Sequence, residues 1–111
     1  MAKRPGTPVR GSASGRPIMV LLDVLGQRWT LRILWELRDG TATFRALRTR
    51  CDDLSPTVLN TRLKTLRDLG FVGLDDGGYS LTEKGRELGQ RLGELDVWAR
   101  DWARTTRDQA E

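Results

Sequence analysis

The residues best suited to chemistry lie on one side of a single amphipathic segment, LSPTVLNTRLKTLRDLG, residues 54–70. Its leucines recur every three or four residues, which is the spacing of the buried side of a helix. At 100° per residue, the opposite side carries hydroxyl, amide and ammonium groups, and it has no carboxylate before Asp68. These groups form hydrogen bonds to polar or anionic partners. They belong to Thr57, Asn60, Thr61, Lys64 and Thr65.

The start and end of this helix are marked in the sequence. Ser55 is a favourable N-cap, and Pro56 suits the first helical position because its missing N–H would have no partner there. Gly70 ends the helix. The unpaired N–H groups of the first turn favour an anion, and Ser55 and Thr57 would help to hold a phosphate there.

The surrounding pattern predicts a set of short elements that would position this helix. Two apolar helices come first, and a long helix closes the chain. The predicted elements are helices over 17–26 and from about 29 to 38, a short strand at 41–44, a helix over 44–50, a hairpin from FVGL and YSLT around residues 75–78, and a helix from about 82 to 105.

Two helices joined by the tight CDDLSP connection, with a hairpin directly after the second, make a winged helix-turn-helix. In this arrangement the second helix enters the DNA major groove, where Thr and Asn side chains meet base edges or phosphates. The alternative is that the polar side is ordinary solvated surface. We therefore predict a mainly α-helical winged helix-turn-helix with a small hairpin and extra N- and C-terminal dimerisation helices.

The net charge of +4 is unevenly distributed along the 111 residues. Residues 1–16 hold four bases and no acid, so we expect a disordered basic tail before a domain that spans 17–111. Residues 28–50 carry six arginines against two acids, whereas residues 71–111 are net acidic. A basic middle and an acidic end imply a molecule with one face open to polyanions. Solvated surface and a solubilising tail remain the alternative.

The sequence lacks the residues that several classes of protein function require. The absence of His argues against a zinc site, and we expect no metal, no cofactor and no enzymatic activity. The apolar run 18–25 is too short to cross a membrane, and no cleavable signal follows the basic start, so we expect a cytoplasmic protein. The single Cys51 excludes an internal disulfide.

The chain resembles the HxlR family of small bacterial transcription regulators, relatives of the MarR-type winged-helix proteins. The resemblance covers roughly residues 17–104. It implies a homodimer that binds a pseudo-palindromic operator in double-stranded DNA. It further implies DNA reading by the helix at about 55–69, a core role for Trp29 and dimer contacts through the first and last helices. The stretches that carry it are LLDVLGQRWTLRILWELRDGTATFRALR, LSPTVLNTRLKTLRDLGFV and YSLTEKGREL.

The chain departs from the family pattern at two places. Relatives that sense electrophiles or oxidants commonly carry a Cys before the Pro that begins the first helix, where this chain has Arg16. Cys51 lies elsewhere, and we interpret it as a small buried hydrophobe. The hairpin is tipped by Asp75 and Asp76, which would be repelled by a minor groove. This acidic wing keeps open a second function, in which the winged helix contacts another protein.

Arginines near the reading helix are candidates for phosphate contact. Arg62 and Arg67 flank its leucine side, and the basic tail is a further candidate, with a solubilising terminus as the alternative. The remaining candidates on the supporting framework are Arg28, Arg32, Arg45, Arg48 and Arg50.

Apolar residues in the last helix advance by four, three, four and three, which builds a continuous seam against another helix. We expect this seam, with Trp98 beside it and Leu21 of the first helix, to form the homodimer contact. Packing on its own domain is the alternative. A small-molecule effector is compatible with this Trp-rich region, although no residue identifies one. The seam residues are Leu88, Leu92, Leu95, Ala99 and Trp102.

Overall fold

Five helices and one β-hairpin make up the chain in a computed structural model, which describes residues 3–110. This order confirms the predicted mainly α-helical winged helix-turn-helix. The last helix extends five residues beyond its predicted end. The elements are α1 (Pro17–Leu25), α2 (Thr30–Glu36), α3 (Phe44–Arg50), α4 (Pro56–Asp68), β1 (Val72–Asp75), β2 (Gly78–Leu81) and α5 (Glu83–Ala110).

Helix α2 is shorter than its apolar pattern predicts at both ends. Trp29 has a φ of +77°, so the helix begins only at Thr30. A bulky L-residue rarely adopts this left-handed conformation, and the tertiary contacts must hold it there. Trp29 packs, partly buried, against the hydrophobic core, as the family resemblance implied.

The turn between α3 and α4 is built from two consecutive aspartates in the left-handed region. Asp52 and Asp53 both have a φ of +58°, which Asp tolerates better than larger residues because its short side chain can bond locally. The N–H of Asp53 donates to the carbonyl of Arg48 at 2.8 Å. Buried Cys51 and Leu54 bracket the turn, so the angle between α3 and α4 is fixed from inside the domain.

Helix α4 has the predicted N-terminus and the predicted buried side. The Ser55 hydroxyl accepts from the N–H of Val58, and Pro56 takes the first helical position. Leu59, Leu63 and Leu66 are at most 1% exposed. They join a single core drawn from α2, α3, α4, both strands and the connecting loops. The core comprises Ile33, Leu34, Leu37, Ala42, Leu47, Cys51, Leu54, Leu59, Leu63, Leu66, Val72 and Leu81.

The hairpin pairs β1 with β2 in an antiparallel register that sets Val72 opposite Leu81 and Asp75 opposite Gly78. The short strand predicted at 41–44 reduces to one residue pair. Ala42 and Tyr79 exchange both backbone hydrogen bonds, at 2.9 and 2.8 Å. This bridge attaches the hairpin to the segment just before α3.

Helix α5 packs on the domain with its first turns only. Thr82 caps it by accepting from the N–H of Gly85 at 3.0 Å, and its hydroxyl donates to the carbonyl of Gly70. From Arg100 to Asp108 every residue is exposed. A helical end with no packing partner is marginal in water. Within residues 3–110 no helix is long and apolar enough to cross a membrane.

Residues 3–16 follow a path of turns before α1. Val9 and Ser12 exchange two backbone hydrogen bonds, at 2.9 and 3.0 Å, and the N–H of Gly6 donates to the carbonyl of Gly15 at 2.8 Å. Disorder of this segment in isolation stays a prediction from its composition.

We predict opposite effects for alanine at two glycines of α5. A Cβ at Gly85 would overlap the backbone carbonyl of Phe71, whereas a Cβ at Gly93 meets nothing within 4 Å in its own chain. Gly85→Ala should therefore lower the free energy of unfolding by about 1 to 3 kcal/mol. Gly93→Ala should raise it by about 1 kcal/mol through helix propensity. Urea denaturation measures both, and equal effects would contradict the close approach at Gly85.

Candidate nucleic-acid interface

The polar side of α4 lies on the surface of the domain. Thr57, Asn60, Thr61 and Lys64 are exposed, and Thr65 is half-buried. Ser55 and Pro56, at the start of the helix, are exposed as well. The structure therefore places these seven predicted residues at the surface of the domain, with Thr65 partly covered.

The hydroxyl groups on this surface retain free hydrogen-bonding capacity. Thr61 Oγ1 donates to the carbonyl of Thr57 at 2.9 Å, which leaves its lone pairs free to accept. Ser55 Oγ is 3.5 Å from the N–H of Val58, a long capping bond, so its own proton remains available. The surface can thus donate through Asn60 and Lys64 and accept through Asn60 and Thr61.

Three of the predicted phosphate-binding arginines also hold the fold together. Arg62 Nε donates to the carbonyl of Arg28 at 2.7 Å, which ties α4 to the loop before α2. Arg48 Nε donates to the carbonyl of Leu54 at 2.8 Å across the turn of the helix-turn-helix. Arg50 Nη1 donates to the carbonyl of Glu36 at 3.3 Å. Only their remaining guanidinium N–H groups can serve DNA, whereas Arg45 is simply exposed on α3.

Arg32 has a positioning role that its charge alone did not reveal. Its guanidinium donates to Glu36 Oε2 at 2.8 Å and to the carbonyl of Arg50 at 2.6 Å, and it lies 3.6 Å from Asp52 Oδ2. It thereby joins α2 to the end of α3 and to the turn before α4. The i, i+4 spacing of Arg32 and Glu36 was the available sequence signal.

A cleft of about 470 Å³ separates α4 from the hairpin. Asn60, Lys64 and Arg67 line it on the helix side, and Leu74 and Tyr79 line it on the hairpin side. The tip of the hairpin is acidic and exposed, as the sequence indicated. Asp75 Oδ1 there accepts from the N–H of Gly77 at 2.8 Å, which stiffens the turn.

Cys51 lies at the end of α3 and is 0% exposed. Burial raises the pKa of its thiol because desolvation disfavours the thiolate, and the positive charge of Arg32 offsets only part of this effect. A buried thiol with a raised pKa is a poor nucleophile and a poor redox sensor. This geometry supports the interpretation of Cys51 as a core residue.

The predicted dimer seam divides into two parts. Leu88 and Leu92 are partly buried against the core of their own domain, as the alternative interpretation proposed. Leu95, Trp98 and Trp102 are more than half exposed, and the rings of Trp98 and Trp102 stack with centroids 6.2 Å apart. Ala99 and Leu21 are half-buried.

Helix α2 is apolar around most of its circumference, yet it is not fully enclosed. Leu31 is 45% exposed. Together with Trp35 it lines one wall of a groove of about 340 Å³, and Leu92, Leu95 and Ala99 of α5 line the other. This apolar groove continues the exposed part of the α5 seam.

The comparison with known protein families identifies the family to which this chain belongs. Residues 24–107 match the model of the HxlR-like helix-turn-helix family. The chain belongs to this family. It is accordingly a DNA-binding transcriptional regulator of the helix-turn-helix type.

Individual relatives agree with the HxlR-like assignment. The chain is 36% identical over 88 residues to the uncharacterized HTH-type transcriptional regulator YvaP of Bacillus subtilis, a match that covers 73% of this chain and 82% of YvaP. It also resembles the crystal structure of quinone-bound YodB from B. subtilis, with 31% identity, a TM-score of 0.71, and coverage of 76% of this chain and 96% of YodB.

A second solved structure extends the likeness to another organism. The chain matches a possible HxlR family transcriptional factor from Thermoplasma volcanium with 31% identity and a TM-score of 0.67. The match covers 76% of this chain and 82% of that one. The HxlR-like fold described above is therefore shared with solved family members over most of its length.

We predict that Cys51 is inert in the native HxlR-like protein. At about pH 8, a thiol reagent should modify Cys51 roughly a hundredfold more slowly than in the urea-unfolded chain, because access requires the core to open. Native labelling as fast as unfolded labelling would contradict the core assignment.

The pH dependence of stability follows from the same burial. Because folding raises the pKa of the Cys51 thiol, the contribution of Cys51 to the free energy of unfolding is fully present below a pH of about 8.5 and falls as the pH rises above that.

Proposed function

We propose that this regulator acts as a homodimer that reads a pseudo-palindromic operator, with one α4 in the major groove of each half-site. The observation that carries this proposal is the exposed Thr, Asn and Lys side of α4, opposite a leucine side that is at most 1% exposed. In a dimer with a twofold axis, the two α4 helices would lie about 34 to 36 Å apart, one turn of DNA.

The side chains of α4 have distinct proposed tasks. Asn60 and Lys64 read base edges, since an amide pairs with adenine and an ammonium with guanine. Ser55, Pro56 and Thr57 bring the first turn, with its unpaired N–H groups, to a phosphate. Thr61 and Thr65 accept or donate at the groove wall. Arg45 and the free N–H groups of Arg48, Arg50 and Arg62 neutralise phosphates at the edges of the groove.

Exposed apolar surface supports the homodimer. The large hydrophobic residues that are at least 45% exposed belong to α1, α2 and α5, apart from Leu74 on the hairpin. Exposed apolar surface of this kind marks an interface. We propose that the partner covers Leu21, Leu95, Trp98, Ala99 and Trp102, and that it stabilises the exposed end of α5. The remaining large hydrophobic residues on these helices that are at least 45% exposed are Ile18, Leu22, Leu31 and Val97.

Two further features belong to the proposal. The protein works in the cytoplasm, where its operator lies, and it is not an enzyme, because the chain holds no His and its one Cys is buried. A small apolar effector would act in the groove between α2 and α5, beside Leu31 and Trp35, since Arg32 connects this wall to the turn before α4.

The acidic wing favours a second candidate function, in which the domain contacts a protein and binds little DNA. Retarded migration of a duplex from the upstream region of its own gene, weakened steeply by added salt, separates the two candidates. No retardation at low salt would favour the protein-contact function.

For the reading surface we predict that Asn60→Ala and Lys64→Ala each weaken operator binding without lowering the melting temperature. Loss of a base contact costs about 1 to 3 kcal/mol, or roughly five- to 150-fold in Kd. Leu63→Ala should instead destabilise the fold by about 2 to 5 kcal/mol. Fluorescence anisotropy and thermal unfolding measure the two effects, and full operator affinity in both surface variants would refute the assignment.

For the dimer we predict that Leu95→Glu yields a monomer. The substitution places a charge in the apolar contact, where it would lose its hydration without gaining a partner. Sedimentation equilibrium should return the chain mass of 12.5 kDa for this variant and twice that mass for the parent. Leu74→Glu, at a similarly exposed leucine of the hairpin, is the matched control and should stay dimeric. A dimeric Leu95→Glu variant would place the interface elsewhere, and dissociation of both variants would contradict a contact specific to α5.

A further inference from the structure

The first residues of the chain form a cationic segment for which the fold itself has no evident need. Lys3, Arg4, Arg10 and Arg16 are all exposed, and the sequence before α1 contains no acid. None of these four takes part in an ion pair among the described residues. A run of unpaired positive charge on a polyanion-binding protein suggests a direct contact.

A hydrogen-bonded loop over residues 6–16 connects this segment to α1. The N–H of Gly6 donates to the carbonyl of Gly15 at 2.8 Å, which closes a loop. Ser12 is buried, and its hydroxyl accepts from the N–H of Arg16 at 3.0 Å, immediately before α1. The loop thus sets where the residues in front of it emerge.

Arg4 emerges beside the far end of the reading helix. Its Nη2 donates to the carbonyl of Asp68, the last residue of α4, at 3.4 Å. Asp68 follows Thr57 by eleven residues, which is about three helical turns, so the two point within about 20° of each other. Arg4 therefore stands at the C-terminal end of α4, whose polar side carries Thr57, Thr61 and Lys64.

The neighbouring wing makes this end of the interface acidic, although Arg67 in the last turn of α4 contributes one positive charge there. The exposed tip holds Asp75 and Asp76, which would repel a phosphate backbone. Asp68 adds a third carboxylate, and the C-terminus of α4 adds the negative end of a helix dipole. Three carboxylates outnumber Arg67, and Arg4 adds a second cation here, in hydrogen-bond contact with the end of α4.

We propose that residues 3–10 form a basic arm in which Arg4 binds a DNA phosphate at the outer edge of each half-site, beside the C-terminal end of α4. One guanidinium N–H contacts Asp68, and the others face the phosphate. The arm takes over the phosphate contact that the acidic wing cannot make. This proposal rests on the proposed function of α4 as the reading helix.

A structural role for Arg4 predicts a different result. If Arg4 only capped the C-terminus of α4, its removal would lower the melting temperature of the protein. The salt dependence of DNA binding would then stay unchanged. A phosphate contact instead contributes about 0.9 to the slope of log K against log salt concentration.

The test compares Arg4→Gln with Arg107→Gln in the full-length chain. Arg107 is exposed near the end of α5 and gives the same change of charge far from α4. Binding of a labelled random-sequence duplex is followed by anisotropy over a range of salt concentrations. For Arg4→Gln we expect the slope to fall by about 0.9 for each arm of the dimer. Arg107→Gln should match the parent, and Arg4→Lys should recover most of the slope.

The outcomes separate the arm from the reading helix. If the parent binds the duplex and Arg4→Gln keeps its slope, or if both Gln variants lose slope equally, the arm proposal is wrong while the proposed function stands. If the parent binds no duplex even at low salt, the proposed function fails and the arm proposal fails with it. A selective loss of slope in Arg4→Gln supports the arm.

Discussion

Burial of the leucine side of α4 is the constraint on which the rest of the interface depends. Leu59, Leu63 and Leu66 lie inside the core, and burying three such side chains is worth roughly 5 to 9 kcal/mol. A helix that rotated to expose them would forfeit most of the stability of a small domain. Because side chains follow each other at 100°, fixing this side also fixes the direction in which Thr57, Asn60 and Lys64 face. The hydrophobic core and the reading surface are therefore two consequences of the same packing.

Several arginines near α4 hold it in place and are also the proposed phosphate contacts. Arg62, Arg48 and Arg32 donate to backbone carbonyls at 2.6 to 2.8 Å, and those bonds connect α4, the turn before it and α2. A guanidinium has five N–H donors in a rigid fork, so one group can satisfy a carbonyl and still present a positive edge to a phosphate. In this domain, part of the positive charge around α4 is also part of the framework. Under the proposed function, binding of a polyanion would therefore be linked to the geometry of α4.

The uncovered apolar surface has a consistent location. Apart from Leu74, its residues belong to α1, α2 and the outer part of α5, and the groove joins the α2 and α5 parts. These residues are distinct from the polar side chains of α4, which permits a partner to cover one set while DNA contacts the other. Arg32 lies between them, since it lines the groove and pairs with the turn before α4. A change in the groove would thus reach the reading helix through one guanidinium group.

The sequence by itself determined the order of elements, the bounds of α3 and α4 and the two sides of α4, because these depend on local spacing and on end signals such as Ser55, Pro56 and Gly70. It missed the left-handed Trp29 and the contraction of the 41–44 strand to one bridge. Each of these is set by contacts between residues distant in the chain. For the same reason, only the tertiary structure decided which arginines are tied to carbonyls, that Leu88 and Leu92 face their own core, and that Arg4 reaches α4 across 64 positions. Periodicity reports which side of a helix is apolar, whereas long-range packing decides what covers it.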